Sequence, residues 1–323
     1  MTEVWLLVLY AMVFPGVLFL VIYALFLQYV DRKIAARTQN RVGPPLVQPF
    51  ADVVKLLSKE DITPEGVDRR GMRAIPLLAF AAVATAFLYV PVIGTSPFAF
   101  EGDLVVVLYL LTLPTILLFV LGWVTRNIFA AVGGTRTVTQ LFIYEVPFFL
   151  ALLGPAIAAG SWSISEIMAW QGANLILAIL QPIGFVVALI GLQAKLERTP
   201  FDIPEAETEL VAGPWTELTG RKLAVMRLTM DMALVAGSGL IAALFLGGPA
   251  TPWVLEPAWL GGLVGFGVFV LKTLGILLIL ALVRAGMGRV RIDQLNDFGW
   301  KYLATAAILQ ILIVLLMVGE VWA

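Results

Sequence analysis

Long apolar runs separated by short polar segments dominate the pattern of this 323-residue chain. About eight of the runs are close to the ~20 residues that a helix needs to cross a bilayer. They lie at about 4–29, 74–94, 104–124, 141–159, 175–194, 223–246, 260–283 and 302–320. The pattern predicts an all-α integral membrane protein with about eight transmembrane helices, in a single membrane domain over residues 1–323.

Segment 46–58, LVQPFADVVKLLS, differs from these runs because its apolar residues recur at helical spacing among polar ones. This spacing predicts a short amphipathic helix that lies on the membrane surface.

Segment 196–210, LERTPFDIPEAETEL, concentrates the acids of the chain, with carboxylates at Glu197, Asp202, Glu205, Glu207 and Glu209. Asp202 followed by Glu205 resembles a capping box, and Gly213–Pro214 is typical of a helix end. We therefore expect a short acidic interfacial helix at about 203–212. On a helical wheel Glu207 falls on its apolar face, whereas Glu205 and Glu209 fall on the polar face. The alternative is a solvent-exposed loop whose acids serve only to keep it hydrated.

Composition excludes several classes of function. The chain is 60% hydrophobic and 13% charged, with a mean hydropathy of +0.96, which excludes an ordinary soluble domain. Its net charge of −1 argues against nucleic acid as a partner. With no Cys and no His, the chain lacks the usual ligands of iron–sulfur clusters, haem and zinc, so we expect no cofactor in it. Proton chemistry must then use Asp, Glu, Lys, Tyr and water.

The basic residues predict the topology. Nineteen of the 21 Lys and Arg residues fall in four alternate loops, and only Arg227 and Lys272 fall within helices. Under the positive-inside rule those loops are cytoplasmic and both termini lie on the outer side of the cell inner membrane.

Three ionisable residues are predicted at membrane depth, where such groups usually serve a function. Glu145 lies two residues before Pro147, which should free the carbonyl of Ile143 and create a water site beside the acid. Asp231 and Lys272 lie within predicted helices and form either a structural ion pair or steps of an ion path.

Four segments resemble a known family: DRKIAARTQNRVGPPLVQPFADVVKLLSKE (31–60), RTVTQLFIYEVP (136–147), RTPFDIPEAETELVAGPWTE (198–217) and LKTLGILLILALVRAGMGRVRIDQLNDFGWK (271–301). They are similar to the H subunit of respiratory complex I, NADH:quinone oxidoreductase, and to its relatives in membrane-bound NiFe hydrogenases. The short link RVGPPLVQPFAD and the ELTG after Thr216 look closer to the hydrogenase-type branch. Asp31 stands where the family has Glu, Lys195 stands about where some members have Glu, and Asp231 is displaced by about one residue.

The resemblance implies a membrane coupling subunit of a redox-driven ion pump, itself without the catalytic centre. It would link a hydrogenase-like, ferredoxin-fed soluble arm to translocation of H⁺ or Na⁺ through antiporter-like membrane subunits. Iron–sulfur clusters, and either NiFe or quinone, would belong to the partners. The carboxylates that match the family are Asp52, Glu145, Asp202, Glu205, Glu207, Glu209 and Glu217; Glu197, Asp231 and Lys272 complete the expected ion path. The expected soluble-arm contacts are Arg32, Arg41, Arg136, Arg289, Arg291 and Asp293.

Three alternatives stay open at this point. The chain could be the quinone-site H subunit of an NADH:quinone oxidoreductase. It could be an independent ion transporter, although no duplicated halves are visible. It could also be a structural anchor whose acids only bind the soluble arm.

Overall fold

The computed structural model describes residues 2–173, 176–250 and 257–322, without the side chains of 2–4, 207–208, 258 and 319–322. Within these residues the chain is helical and contains no strand. In this described part of the chain seven spans are long and apolar enough to cross a membrane, in agreement with the predicted all-α membrane fold.

The first half of the chain forms seven helices within the described part: α1 (Thr2–Met12), α2 (Val17–Thr38), α3 (Gln48–Ser58), α4 (Arg69–Tyr89), α5 (Asp103–Val124), α6 (Ile128–Ala159) and α7 (Ile164–Ala173). The amphipathic helix predicted at 46–58 is confirmed as a helix by α3, and its place on the membrane surface stays a prediction. Pro15 lies between α1 and α2, and together they form one span over Trp5–Thr38.

The second half contains shorter pieces around two long helices: α8 (Leu177–Leu180), α9 (Pro182–Lys195), α10 (Glu207–Leu210), a 3₁₀ turn (Gly213–Glu217), α11 (Gly220–Leu246), α12 (Ala258–Gly286), α13 (Ile292–Asp297), a π-helical segment (Phe298–Ala304) and α14 (Thr305–Trp322). The predicted span at 175–194 is wrong as one helix, because the chain breaks at Gln181 before Pro182, a residue that disfavours helix in its predecessor.

Two helices begin well before the predicted positions. Helix α6 starts at Ile128, where the side chain of Asn127 accepts a hydrogen bond from the Phe129 amide at 2.9 Å and caps the helix. The span that ends the chain is helical from Ile292, through the π-helical segment. Segments that look like polar loops are thus the first turns of long helices.

The acidic helix predicted at 203–212 is also wrong in extent, since α10 covers only Glu207–Leu210. Pro204 precedes it in a turn, and Val211 and Ala212 after it adopt positive φ values of 56° and 85°. Asp202 does not cap the helix, because its carboxylate binds Arg289 instead. Glu205 consequently lies in the turn and not on a helical face.

Helix α11 forms the centre of the molecule. Every residue from 231 to 245 is buried, and the helix packs against α2, α3, α4 and α12. By contrast, α12 and α14 expose large apolar side chains such as Leu271 and Leu316, as expected where a helix faces lipid. The face where α2 ends and α4 and α11 begin carries the charged loops, and we call it the basic face.

Candidate functional site: a charged cavity linked to a buried ion pair

A cavity of about 370 Å³ opens beside α11 near the basic face. It is bordered by α2, by the loop that follows α9, by α11 and by the end of α12. Five carboxylates line it, at Asp31, Glu197, Asp202, Glu205 and Asp231. Four guanidinium groups line it as well, at Arg32, Arg198, Arg227 and Arg284. The site is therefore a cluster of opposite charges with little apolar wall.

Buried amides hold the acidic loop in place. The side-chain nitrogen of Gln140 on α6 donates to the carbonyls of Ala194 and Phe201, both at 2.8 Å. The side-chain nitrogen of Gln193 donates to the carbonyl of Thr199 at 2.7 Å. These bonds tie the start of the loop to two membrane helices, which fixes its carboxylates toward the cavity.

Gly133 lets the other end of the loop approach α6. A Cβ built on Gly133 would lie 2.8 Å from the Cα of Gly213, too close for any larger residue. The glycine thus permits the 3₁₀ turn to pack directly on the helix.

Asp31 lies at the centre of an ion network. One of its oxygens lies 2.5 Å from Nη1 of Arg284 and 3.4 Å from Nη1 of Arg198. The other guanidinium nitrogen of Arg198 lies 3.9 Å from Asp231. Asp31 is 2% exposed, and its second oxygen has no hydrogen-bond partner among the described residues. Two acids from α2 and α11 are thereby bridged by one arginine of the loop.

Glu197 is held in an unusual environment. Its backbone adopts φ 50°, a left-handed conformation that is uncommon for a residue with a side chain, and its carboxylate is buried. Neither carboxylate oxygen meets a hydrogen-bond partner within the described structure. Burial raises the pKa of Glu197 well above its usual value, and the charge of Glu205 adds to the rise. The indole of Trp215 opposes this rise in pKa, although its nitrogen does not reach hydrogen-bonding geometry.

Glu145 and Lys195 form a buried ion pair behind this loop. The ammonium nitrogen of Lys195 lies 2.8 Å from both carboxylate oxygens of Glu145. It also lies 5.5 Å from the ring centre of Tyr144 and 5.3 Å from that of Phe148, within range of cation–π attraction. Glu197 follows Lys195 by two residues in the chain. The ion pair therefore lies close to the buried acid at the cavity.

The carbonyl of Ile143, which the sequence predicts to be freed for water by Pro147, is covered. Gly299 of the π-helical segment packs so closely on Ile143 that a side chain there would collide with it. Gly299 has no side chain, so the segment can cover this part of α6.

Asp231 and Lys272 do not pair with each other. The ammonium group of Lys272 donates to the carbonyls of Leu246 and Gly248, at 2.6 and 2.7 Å, and so caps the last turn of α11. Of the two alternatives for these residues, the structural ion pair is wrong, because the Lys272 side chain reaches the end of α11 whereas Asp231 faces the cavity.

The other predicted residues form pairs at the basic face. Arg32 donates to Asp52 on α3 at 2.7 Å, and the hydrogen bonds of Arg32 and Gln48 outweigh burial and hold the pKa of Asp52 below its usual value. Asp202 makes a two-bond pair with Arg289.

Two further pairs lie beside α6. The hydrogen bond and charge of Arg136 lower the pKa of the exposed Glu209, 2.5 Å away. Glu217 accepts a hydrogen bond from Asn127 at 2.6 Å.

Arg41, Arg291 and Asp293 are exposed to solvent. The side chain of Glu207 lies outside the described residues, so its place on an apolar face stays a prediction. Among the described residues, no group of three or more acids is arranged to hold a metal ion.

Asp31, Arg198 and Arg284 are central to the network, although the motifs do not predict them as site residues. A signal was present for Asp31, because it ends a long apolar run and is followed by two bases. The partners are 167 and 253 positions away in the sequence, so their meeting depends on the fold.

Comparisons with known proteins agree with this architecture. The family model described as NADH dehydrogenase matches residues 10–315. The H subunit of NADH-quinone oxidoreductase from Carboxydothermus hydrogenoformans is 35% identical over 308 residues, covering 92% of this chain and 86% of that protein. The protein of the same name from Bacillus thuringiensis is 36% identical and covers 94% of each chain.

A solved structure is similar over the same range. It is a chain of the membrane-bound sulfane sulfur reductase, an archaeal respiratory membrane complex, with a TM-score of 0.83 and 29% identity, covering 92% of this chain and 97% of that one. The family match over most of the chain, together with its all-helical membrane fold, leads to one conclusion: the chain belongs to the NADH dehydrogenase family of membrane proteins that includes the H subunit of NADH-quinone oxidoreductase.

Proposed function

We propose that this protein couples electron transfer in a soluble partner to the translocation of a proton or a sodium ion. The observation that carries the proposal is the closeness of the charged cavity, which Glu197 lines, to the buried Glu145–Lys195 pair, whose lysine precedes Glu197 by two residues. Carboxylates this close influence one another's protonation and titrate as a group. A change of charge at the basic face would therefore change the protonation of groups deep in the membrane.

Glu197 is the residue best suited to exchange a proton. Its oxygens are buried without hydrogen-bond partners among the described residues, so no fixed donor holds it in the ionised form. Ionisation of Glu197 would change the electric field at Lys195, two residues earlier in the chain, which is held between Glu145 and two aromatic rings. Lys195 would then transmit the change to Glu145.

The partners we propose follow from the surface and the motifs. A soluble redox arm would dock on the basic face near Arg41, Arg291 and Asp293, which are exposed. The short RVGPPLVQPFAD link supports a hydrogenase-like arm fed by ferredoxin, as does similarity to a sulfane sulfur reductase complex. Iron–sulfur clusters and the site of the terminal acceptor would belong to that arm, and antiporter-like subunits would receive the ion signal.

A second candidate is the quinone-site component of an NADH:quinone oxidoreductase. The names of relatives that are 34–36% identical favour it. The cavity favours it less, because a lining of five carboxylates and four guanidinium groups is a poor environment for an apolar quinone tail.

The test compares three neutral substitutions in the assembled complex, reconstituted into vesicles. Glu197→Gln and Glu145→Gln should each lower the number of ions translocated per electron severalfold while electron transfer continues. Glu209→Gln is the matched control, because this acid lies in the same segment as Glu197 but is exposed, and it should leave the ratio unchanged.

Unchanged ratios for both buried variants, in complexes that assemble normally, would refute the coupling role. Electron transfer that depends on added quinone and is blocked by quinone-site inhibitors would favour the second candidate.

A further inference from the structure

A second cavity, of about 400 Å³, lies near the basic face on the other side of α11. Its basic residues are Arg73 on α4 and Arg221 and Lys222 on α11. Residues Arg221, Lys222 and Val225 border it, whereas Arg227, Met230 and Asp231 border the charged cavity. At 3.6 residues per turn these two sets point in roughly opposite directions around α11. The second cavity is therefore separate from the proposed coupling site.

The charges of this second cavity are not balanced. Lys222 is 5% exposed and is neutralised by Asp61 at 2.8 Å. It also donates to Thr63 at 3.0 Å, within a loop that Thr219 binds through the backbone of Ile62. Within the described residues, neither Arg73 nor Arg221 forms an ion pair or a hydrogen bond. Two positive charges thus remain available at the mouth.

The wall deeper in the membrane is apolar. Pro76 and Leu77 follow Arg73 by about one turn of α4, and Val225 follows Arg221 by about one turn of α11. Both helices run inward from the basic face, so the apolar residues lie roughly 5 Å farther into the bilayer than the arginines. Leu77 is 60% exposed, which leaves this wall open toward lipid.

We propose that this cavity binds the phosphate headgroup of an anionic membrane lipid. Arg73 and Arg221 bind the phosphate oxygens, while Pro76, Leu77 and Val225 contact the glycerol and the first methylenes of the acyl chains. Free phosphate carries a similar charge but no hydrocarbon, so it would make no contact with the apolar wall. The order of charge and then hydrocarbon, from the basic face inward, matches a phospholipid standing in its own leaflet.

The experiment uses the whole complex in nanodiscs of phosphatidylglycerol or of phosphatidylcholine, with a photoactivatable phosphatidylglycerol as the probe. Crosslinking in the parent complex should map to the Leu77 and Val225 region and should be competed by phosphatidylglycerol but not by phosphatidylcholine. The double variant Arg73→Gln/Arg221→Gln should bind the probe on the order of thirty-fold more weakly, since each surface base contributes about 1 kcal/mol to anionic lipid binding.

The matched control is Arg69→Gln/Arg70→Gln, which removes two exposed positive charges from the same helix end but from residues that do not line the cavity. It should retain most of the binding. Four results would overturn the proposal: equal labelling of both double variants, competition by phosphatidylcholine, displacement of the probe by inorganic phosphate alone, or a partner protein crosslinked at Leu77 in place of lipid. The position of the crosslinks in the parent complex tests lipid binding even if the double variant fails to assemble. This measurement does not depend on ion coupling.

Discussion

Removing the positive charge of the Glu145–Lys195 pair tests whether the pair is shielded from water and from other charged groups. Lys195→Met keeps a similar length and volume but leaves the carboxylate of Glu145 without its two hydrogen bonds of 2.8 Å. The side chain of Glu145 is 13% exposed and that of Lys195 is 4% exposed, so water can replace little of what is lost.

Breaking a buried pair by removing one partner costs about 3–5 kcal/mol, because an unpaired charge remains in a medium of low dielectric constant. For a chain of this size, each kcal/mol lowers the melting temperature by roughly 2 °C. Lys195→Met should therefore unfold about 6–10 °C below the parent. The loss of cation–π contact with Tyr144 and Phe148 is part of that cost, since a desolvated contact of this kind is worth about 2 kcal/mol.

The assay is thermal unfolding of the purified complex in mild detergent, read as a double-mutant cycle. Glu145→Gln alone should also destabilise, because it leaves the buried ammonium group without a counter-charge. The double variant Glu145→Gln/Lys195→Met should recover most of the loss, as neutral replacement of a buried pair is often nearly free of cost. Lys301→Met is the control, since it makes the same change in an exposed pair with Asp297 and should not change the melting temperature.

Additive losses in the double variant would refute the reasoning, because they would mean that the two groups do not depend on each other. A melting temperature of Lys195→Met equal to that of the parent would refute it too, and would place water or another base beside Glu145.

Three further predictions follow from single residues. Because burial raises the pKa of Glu197, its neutral form is favoured in the fold, and the stability that this group contributes is fully present below about pH 4.3 and is lost as the pH rises through the folded-state pKa. The difference in stability between Glu197→Gln and the parent should therefore be smallest near that pH and should grow in favour of the variant above it, whereas parallel stability curves would contradict this. Lys272→Met should lower stability by about 1–3 kcal/mol, since the carbonyls of Leu246 and Gly248 lose their donor, with ions translocated per electron unchanged in complexes that assemble; an altered ratio would instead favour a place in the ion path. A reporter fused after Ala323 should be active outside the cytoplasm, and activity on the cytoplasmic side would contradict the topology drawn from the basic loops.

Local patterns in the sequence determine the class of fold and the surface helix. Apolar runs of membrane length are sufficient to predict most spans, because in lipid a chain must satisfy its backbone hydrogen bonds within each helix. The spacing of apolar residues in LVQPFADVVKLLS likewise predicts α3, since amphipathic periodicity is a property of a short stretch. The motifs around Glu145 and Asp202 are sufficient for the family, which the comparisons confirm.

Where the helices end at the basic face depends on contacts between residues far apart in the sequence, which a local pattern cannot show. Residues 128–140 look like a polar loop, yet they extend α6 because Gln140 finds buried carbonyl partners on α9 and its loop. The helical wheel predicts Glu205 on a polar face, but the chain around Pro204 turns and Asp202 binds Arg289, so Glu205 lies at the cavity.

The site itself was decided by tertiary structure. The sequence by itself determines that acids and bases enter the membrane region, because each such residue interrupts an apolar run. It does not determine which ones meet: Lys195 pairs with Glu145 across 50 residues, Asp31 meets Arg284 across 253, and Lys272 binds the end of α11 instead of Asp231. The physical reason is that a buried charge takes the partner that packing brings within a few ångströms, and packing between helices sums over the whole molecule.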